Sequence, residues 1–312
     1  VTRRRGASFL GSVVAVLAVV AIAVTGVVVV LNYVVRSPAS GTCRADAGGD
    51  LTATLDADQA ANAALIVGLA QQRDLPIRAT TVALSTARQE SKLRNIDYGD
   101  RDSVGLFQQR PSQGWGTVEE IMDPVYSTGQ FYDALVAIDG WEDLEITEAA
   151  QAVQRSGFPT AYAQHETMAR AFAANLVGQV DAGLTCRLGM PDDAEDATTS
   201  LATARVTDLA RRDLGLEADG RDSGAVVLDA SAMPDGAADP TAAGWGVAHW
   251  AVATASETEA IAVATAGQVW LRSDGDDSAW ISADALDRDL LPLEQVVVDL
   301  AADLGDGHVA IG

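Results

Sequence analysis

Lysine is almost missing from this 312-residue chain: Lys92 is the only one, and arginine supplies every other positive side chain. Against 44 acidic residues the 21 basic ones leave a formal charge of −23. A surface of that sign repels phosphate backbones, which excludes nucleic acid as a partner. Cysteine is as scarce, with Cys43 and Cys186 alone, and the three histidines, His165, His249 and His308, are scattered. Such a set offers no ligand spacing for a metal centre, and neither metal nor cofactor is expected.

What is present in excess is Ala, Val, Gly and Asp, a bias that points to a GC-rich bacterial genome such as an actinobacterium's. The longest apolar run lies at the start. Arg3, Arg4 and Arg5 precede a charge-free stretch from Phe9 to Leu31. As a helix it would reach roughly 35 Å, enough to cross a hydrocarbon core of about 30 Å. It is longer than a secretory signal and runs into Asn32 to Arg36 without a small-residue cleavage site, so an uncleaved single-pass anchor is expected over residues 1–36. The arginines stay on the cytoplasmic side, which places the rest of the chain outside the plasma membrane. Both cysteines then fall in an oxidising compartment, and a Cys43–Cys186 disulfide is the expectation; a loop of that length would stabilise the fold by about 4–5 kcal/mol.

Residues 37–55 are rich in Ser, Ala, Gly and Asp and read as a juxtamembrane linker, and the acidic, apolar-poor residues 189–199 read as a second one. Two external domains follow. The segment 56–188 shows helical periodicity at 58–73, 77–93, 125–136, 147–155 and 160–181, with Thr117 and Glu120 spaced as a capping box and a polar excursion at 94–108. The segment 200–312 mixes helical patterns at 201–214 and 245–255 with strand-like runs at 261–263, 268–271 and 295–300, predicting a small α/β domain. The chain as a whole is therefore expected to be mainly α.

Chemistry concentrates around Glu90. On a 3.6-residue period its helical neighbours are Ala83, Thr86 and Ala87, a small and nearly apolar face. A carboxyl pressed against such a face loses solvent, which raises its pKa and lets it carry a proton near neutral pH, as protonation of a glycosidic oxygen requires. Trp115, between Gly114 and Gly116, is the best candidate for stacking on a sugar, whereas helical spacing favours core packing for Tyr126, Phe131, Tyr132 and Phe158. His249, on an apolar helix, reads as buried and hydrogen-bonded, and His165 as a surface residue.

The order Glu90-Ser91, then Gly99-Asp100-Arg101, then Gly105-Leu106-Phe107-Gln108 resembles the soluble lytic transglycosylases and goose-type lysozymes of the lysozyme-like superfamily. The resemblance runs over residues 75–181 and implies a lysozyme-like helical domain that cleaves the glycan strands of peptidoglycan. It makes Glu90 the general acid, Ser91 its support, Phe107 and Gln108 part of the cleft wall, and Asp100 the residue that would place a hydrolytic water. Gln154, in Ala152 to Gly157, stands where the family shows an A-Y-N-x-G element, and Tyr162 corresponds to a later tyrosine near the acid. Gln109 and Arg110 stand where goose-type enzymes continue with a further aspartate. Two outcomes stay open for an active enzyme, ring closure to a 1,6-anhydro sugar or hydrolysis with Asp100 activating water. A peptidoglycan-binding or scaffolding protein without turnover is the alternative.

Overall fold

The computed structural model describes residues 41–157, 160–191, 196–221, 224–234, 236–273, 275, 278–286 and 295–300. The expected anchor at 1–36 and Phe158 lie outside them. Among the described residues no helix is long and apolar enough to cross a membrane. The chain is a mixed α/β protein with two antiparallel sheets.

The first sheet is a correction to the linker expected at 37–55. Strands β1 (Gly41–Asp46) and β2 (Thr52–Asp56) form a hairpin, and β3 (Leu184–Leu188) pairs with the other edge of β1. Composition hid an alternation of period two: Thr42 and Arg44 face solvent while Cys43 and Ala45 are fully buried. The register sets Cys43 opposite Cys186, and the two form the disulfide.

Helix α1 (Ala57–Gln72) follows directly, with the Asp56 N–H donating to Gln59 Oε1 at 2.9 Å in a capping arrangement. Helix α2 (Ile77–Ser91) starts after Pro76 and is buried from Ala79 to Ala87. Its small residues let α5 (Ile146–Gln154) and α6 (Glu166–Leu176) pack closely against it. The short α3 (Val118–Met122) and α4 (Pro124–Val136) close the other side, and the Thr117–Glu120 capping box forms as its spacing requires. Helix α6 ends at Leu176, short of the expected 181, at Val177-Gly178.

The second sheet has six strands in the order β4-β5-β9-β6-β7-β8, from β4 (Ala218–Gly220), β5 (Ala225–Asp229), β6 (Ala260–Thr265), β7 (Gln268–Leu271), β8 (Trp280–Ser282) and β9 (Gln295–Leu300). Helices α7 (Asp196–Leu214), α8 (Pro240–Ala253) and the single turn α9 (Ala255–Thr258) tie it to the first half of the chain. Among the described residues from Gly41 onward, elements on both sides of the 189–199 segment contribute side chains to one hydrophobic core. A Cβ at Gly68 of α1 would lie 2.3 Å from the Asp213 carbonyl, so only glycine lets α7 end against α1. Gln72 donates to the carbonyls of Arg212 and Asp213 across the same contact, at 3.0 and 2.6 Å. His249 is buried as expected, 2.8 Å from the Asn175 carbonyl through Nδ1 and receiving the Leu184 N–H on Nε2 at 3.4 Å. That pair of contacts fixes a neutral ring, and burial holds its pKa down at about 4.

Candidate active site

Glu90 occupies the last turn of α2, where the helix emerges from the core after its buried stretch from Ala79 to Ala87. The helix stops because Lys92 and Leu93 take left-handed backbone, φ 58° and 60°, turning the chain away. Ala83, Thr86 and Ala87 are buried beside the acid, and Thr86 spends its hydroxyl on the Val82 carbonyl at 2.7 Å rather than on Glu90. Glu90 itself is half-buried. Burial raises its pKa above the usual carboxylate value, and the hydroxyl of Tyr162, donating to Oε1 at 2.8 Å, pulls the other way with less effect. Tyr162 is wholly buried, and burial keeps its phenol protonated and therefore a donor.

Ser91 is buried and donates to the Leu106 carbonyl at 2.7 Å, which pins the end of α2 to the 94–110 loop. Gly105 fixes the loop's turn: its φ is 82°, and a Cβ there would come within 2.8 Å of the Ile121 carbonyl. Asn95 donates to the Met122 carbonyl at 2.7 Å, and Gln109 to the Ser127 carbonyl at 2.9 Å. The loop is braced by Asp102, which accepts from Arg110 Nε at 2.7 Å and from the Ser112 N–H at 2.8 Å. Those two donors, Ser112 first, hold its carboxyl far below the ordinary range.

The remaining candidates scatter. Asp100 makes no contact with Glu90 among the described residues; its side chain is 92% exposed and pairs with Arg101 at 3.9 Å. The acid that braces the loop is therefore Asp102, two positions on. Phe107 corrects the cleft-wall expectation, because its ring is fully buried and stacks on Phe131 at 4.5 Å between centroids. In the tight 104–109 segment Val104 to Phe107 are buried in succession and only Gln108 is half-buried, so Phe107 packs into the core instead of lining a cleft. The Gln108 amide turns back onto the Tyr98 and Gly105 carbonyls, both at 3.3 Å. Gln154 donates to the Phe107 carbonyl at 2.9 Å, so the ends of α2 and α5 meet through the same loop. Trp115 is half-buried and lines a cavity of about 780 Å³ with Ala134, Ile138, Val153, Gln154 and Arg155.

Sequence reasoning missed Ser156. It is hydrogen-bonded to Tyr162 and, at 3.0 Å, to Gln151 Oε1, while Gln151 Nε2 donates back to the Ser156 carbonyl at 2.9 Å. The only signal was its place in the 152–157 segment. His165 also differs from expectation: it is half-buried, with Nε2 3.0 Å from Gln89 Oε1, and burial followed by the nearby Arg88 charge lowers its pKa. Among the described residues no group of three or more His, Cys, Asp or Glu side chains gathers as a metal site. No protein-family model and no curated protein matches the chain.

Proposed function

We propose that the chain cleaves the glycan strands of peptidoglycan outside the plasma membrane, with Glu90 as general acid and base in a lysozyme-like domain. The observation that carries this reading is a half-buried carboxyl at a helix end, its pKa raised by burial, with one neutral hydroxyl donor at 2.8 Å and, among the described residues, no cationic partner. A carboxyl kept protonated and still open to one side suits proton donation to a leaving oxygen. The disulfide agrees with an extracytoplasmic location.

In this reading the Glu90 proton passes to the glycosidic oxygen as the bond from that oxygen to the anomeric carbon breaks. The Glu90 carboxylate then takes the proton of the muramyl 6-hydroxyl as that oxygen attacks the same carbon, closing a 1,6-anhydro ring. Tyr162 holds the carboxylate in place through both steps, and Ser91 fixes the helix end. The lytic transglycosylase outcome is favoured over hydrolysis because the three loop acids are otherwise disposed, Asp97 and Asp100 facing solvent and Asp102 bonded to Arg110 and Ser112. A second reading, a peptidoglycan-binding protein without turnover, is favoured by one observation: the cavity beside Trp115 and Gln154 is not lined by Glu90.

Digestion of purified peptidoglycan with the chain and with its Glu90→Gln form tests this by product mass. Anhydro-muropeptides from the wild type alone support the transglycosylase, and reducing-end sugars the hydrolase. Binding to the wall without products from either protein leaves the second reading.

A further inference from the structure

The other end of α2, about 20 Å from Glu90 at a helical rise of 1.5 Å per residue, borders two cavities that glycan cleavage does not use. Ile77 in its first turn and Gln179 beyond α6 line both. The larger, about 640 Å³, carries Asp74, Glu142 and Asp239 on its walls, no basic residue, and apolar surface from Leu75 and Met233. Asp239 caps α8, accepting from the Ala242 N–H at 3.0 Å. Asp74 and Glu142 make no ion pair or side-chain hydrogen bond among the described residues. The smaller cavity, about 330 Å³, has the opposite sign: Arg78 and Arg170 line it with no carboxylate, over Leu51 and Ile146.

Arg78 is the half-buried guanidinium on this wall. One terminal nitrogen donates to the Leu144 carbonyl, but its Nε–H is buried with no acceptor. Arg170 is held by Glu166 at 2.7 Å, one turn back on α6, and keeps further N–H groups for another acceptor. Both volumes lie within the range of small-molecule sites.

Walls of opposite charge that share an edge at Ile77 and Gln179, with aliphatic surface from Leu75 on one side and Leu51 and Ile146 on the other, specify a ligand with an amino group at one end, a carboxylate at the other and aliphatic carbon between. We propose that these adjoining cavities bind a short peptide, its free carboxylate held by Arg78 and Arg170 and a free amino group by Asp74 and Glu142. Peptidoglycan stem peptides have this chemistry and so do free peptides; assigning the site to stems rests on the glycan-cleavage reading above.

The test is calorimetric titration of the full chain in detergent micelles with Ala-Lys-Ala, with its C-terminal amide, and with the same peptide acetylated on both amines. The free peptide is expected to bind, and blocking either end should weaken binding by about tenfold or more. Arg170→Gln, at an exposed side chain, should match the loss seen with the amide. Asp74→Asn should match that of the acetylated peptide, since asparagine tolerates the left-handed backbone there (φ 53°). Equal affinity for all three peptides, no binding of the free peptide at about 10 mM, or variants that bind like the wild type would overturn the proposal. Repeating the titration on Glu90→Gln protein with a disaccharide-linked stem separates the sources: tighter binding than the free stem assigns the site to peptidoglycan, and equal binding to free peptides. Failure of Glu90 as an acid would leave the peptide result untouched.

Discussion

Glu90 and Asp213 are both carboxyls taken out of water, one at the end of α2 and the other at the end of α7. Burial raises the pKa of each before any other influence. Around Asp213 the fold answers every lone pair it can: Trp250 Nε1 donates at 2.9 Å and Arg212 Nε at 2.6 Å, and the side chain has no exposure at all. Around Glu90 it supplies one neutral hydroxyl and leaves an open edge. Desolvation alone therefore does not mark a catalytic acid. A buried carboxyl with its partners complete serves to join two helices, whereas one left half-open and uncompensated can still exchange a proton with something outside.

The sharpest way to break that comparison is to neutralise each acid and read activity and stability together. Glu90→Gln keeps the shape and the acceptor for Tyr162, so the rate of product release should fall by about 10³ while the denaturant midpoint barely moves. Asp213→Ala strips the buried Trp250 N–H and the part-exposed Arg212 guanidinium of their acceptor and should cost about 2–3 kcal/mol in urea unfolding, with activity per folded molecule unchanged. If the Glu90 variant lost stability on that scale, the acid would be a structural group like its counterpart, and the functional reading would go with it.

A third prediction uses pH. His249 is neutral in the fold with its pKa lowered to about 4 from an ordinary value of 6.5. Between those values the unfolded chain holds the extra proton and the folded one does not. Stability from this group is thus complete above pH 6.5 and lost as pH falls toward 4, a change on the order of 3 kcal/mol. Glu90 and Asp213 have the opposite sign: raised in the fold, they subtract stability as pH climbs above their unfolded value. Urea midpoints measured across this window should fall on the acid side in the wild type and flatten in His249→Gln. An unchanged slope in the variant would place the acid sensitivity elsewhere.

The helices around Glu90 were legible because apolar periodicity and caps are local: Thr117 with Glu120 and the small face Ala83, Thr86, Ala87 behave as spacing alone requires. The first sheet was not, since β1 and β2 are short, Gly- and Asp-flanked strands whose buried alternation at Cys43 and Ala45 is masked by their composition. Nor was the joining of the two halves, which depends on contacts far apart in sequence, such as Gln72 with the Arg212 and Asp213 carbonyls. At the site, residues next to Glu90 in sequence could be placed, whereas Phe107 was put on the wrong side of its loop. Ser156 could not be found because it reaches the site only through its hydrogen bond to Tyr162, six residues on, which no local spacing signals.

The smallest expected effect is also the most specific to the open site. Tyr162→Phe removes one hydroxyl from a fully buried ring and leaves the packing almost as it was. Its hydrogen bond favours the charged carboxylate, so without it the Glu90 pKa should rise further above the usual value. The rate should fall about tenfold because the carboxylate is less well held, yet the alkaline limb of the pH profile should move upward, since the acid keeps its proton to higher pH. A merely structural tyrosine would lower the rate at every pH alike. The opposite shift, an alkaline limb moving down, would mean that the hydroxyl stabilises the protonated acid, and the base half of the cycle would then need a different residue.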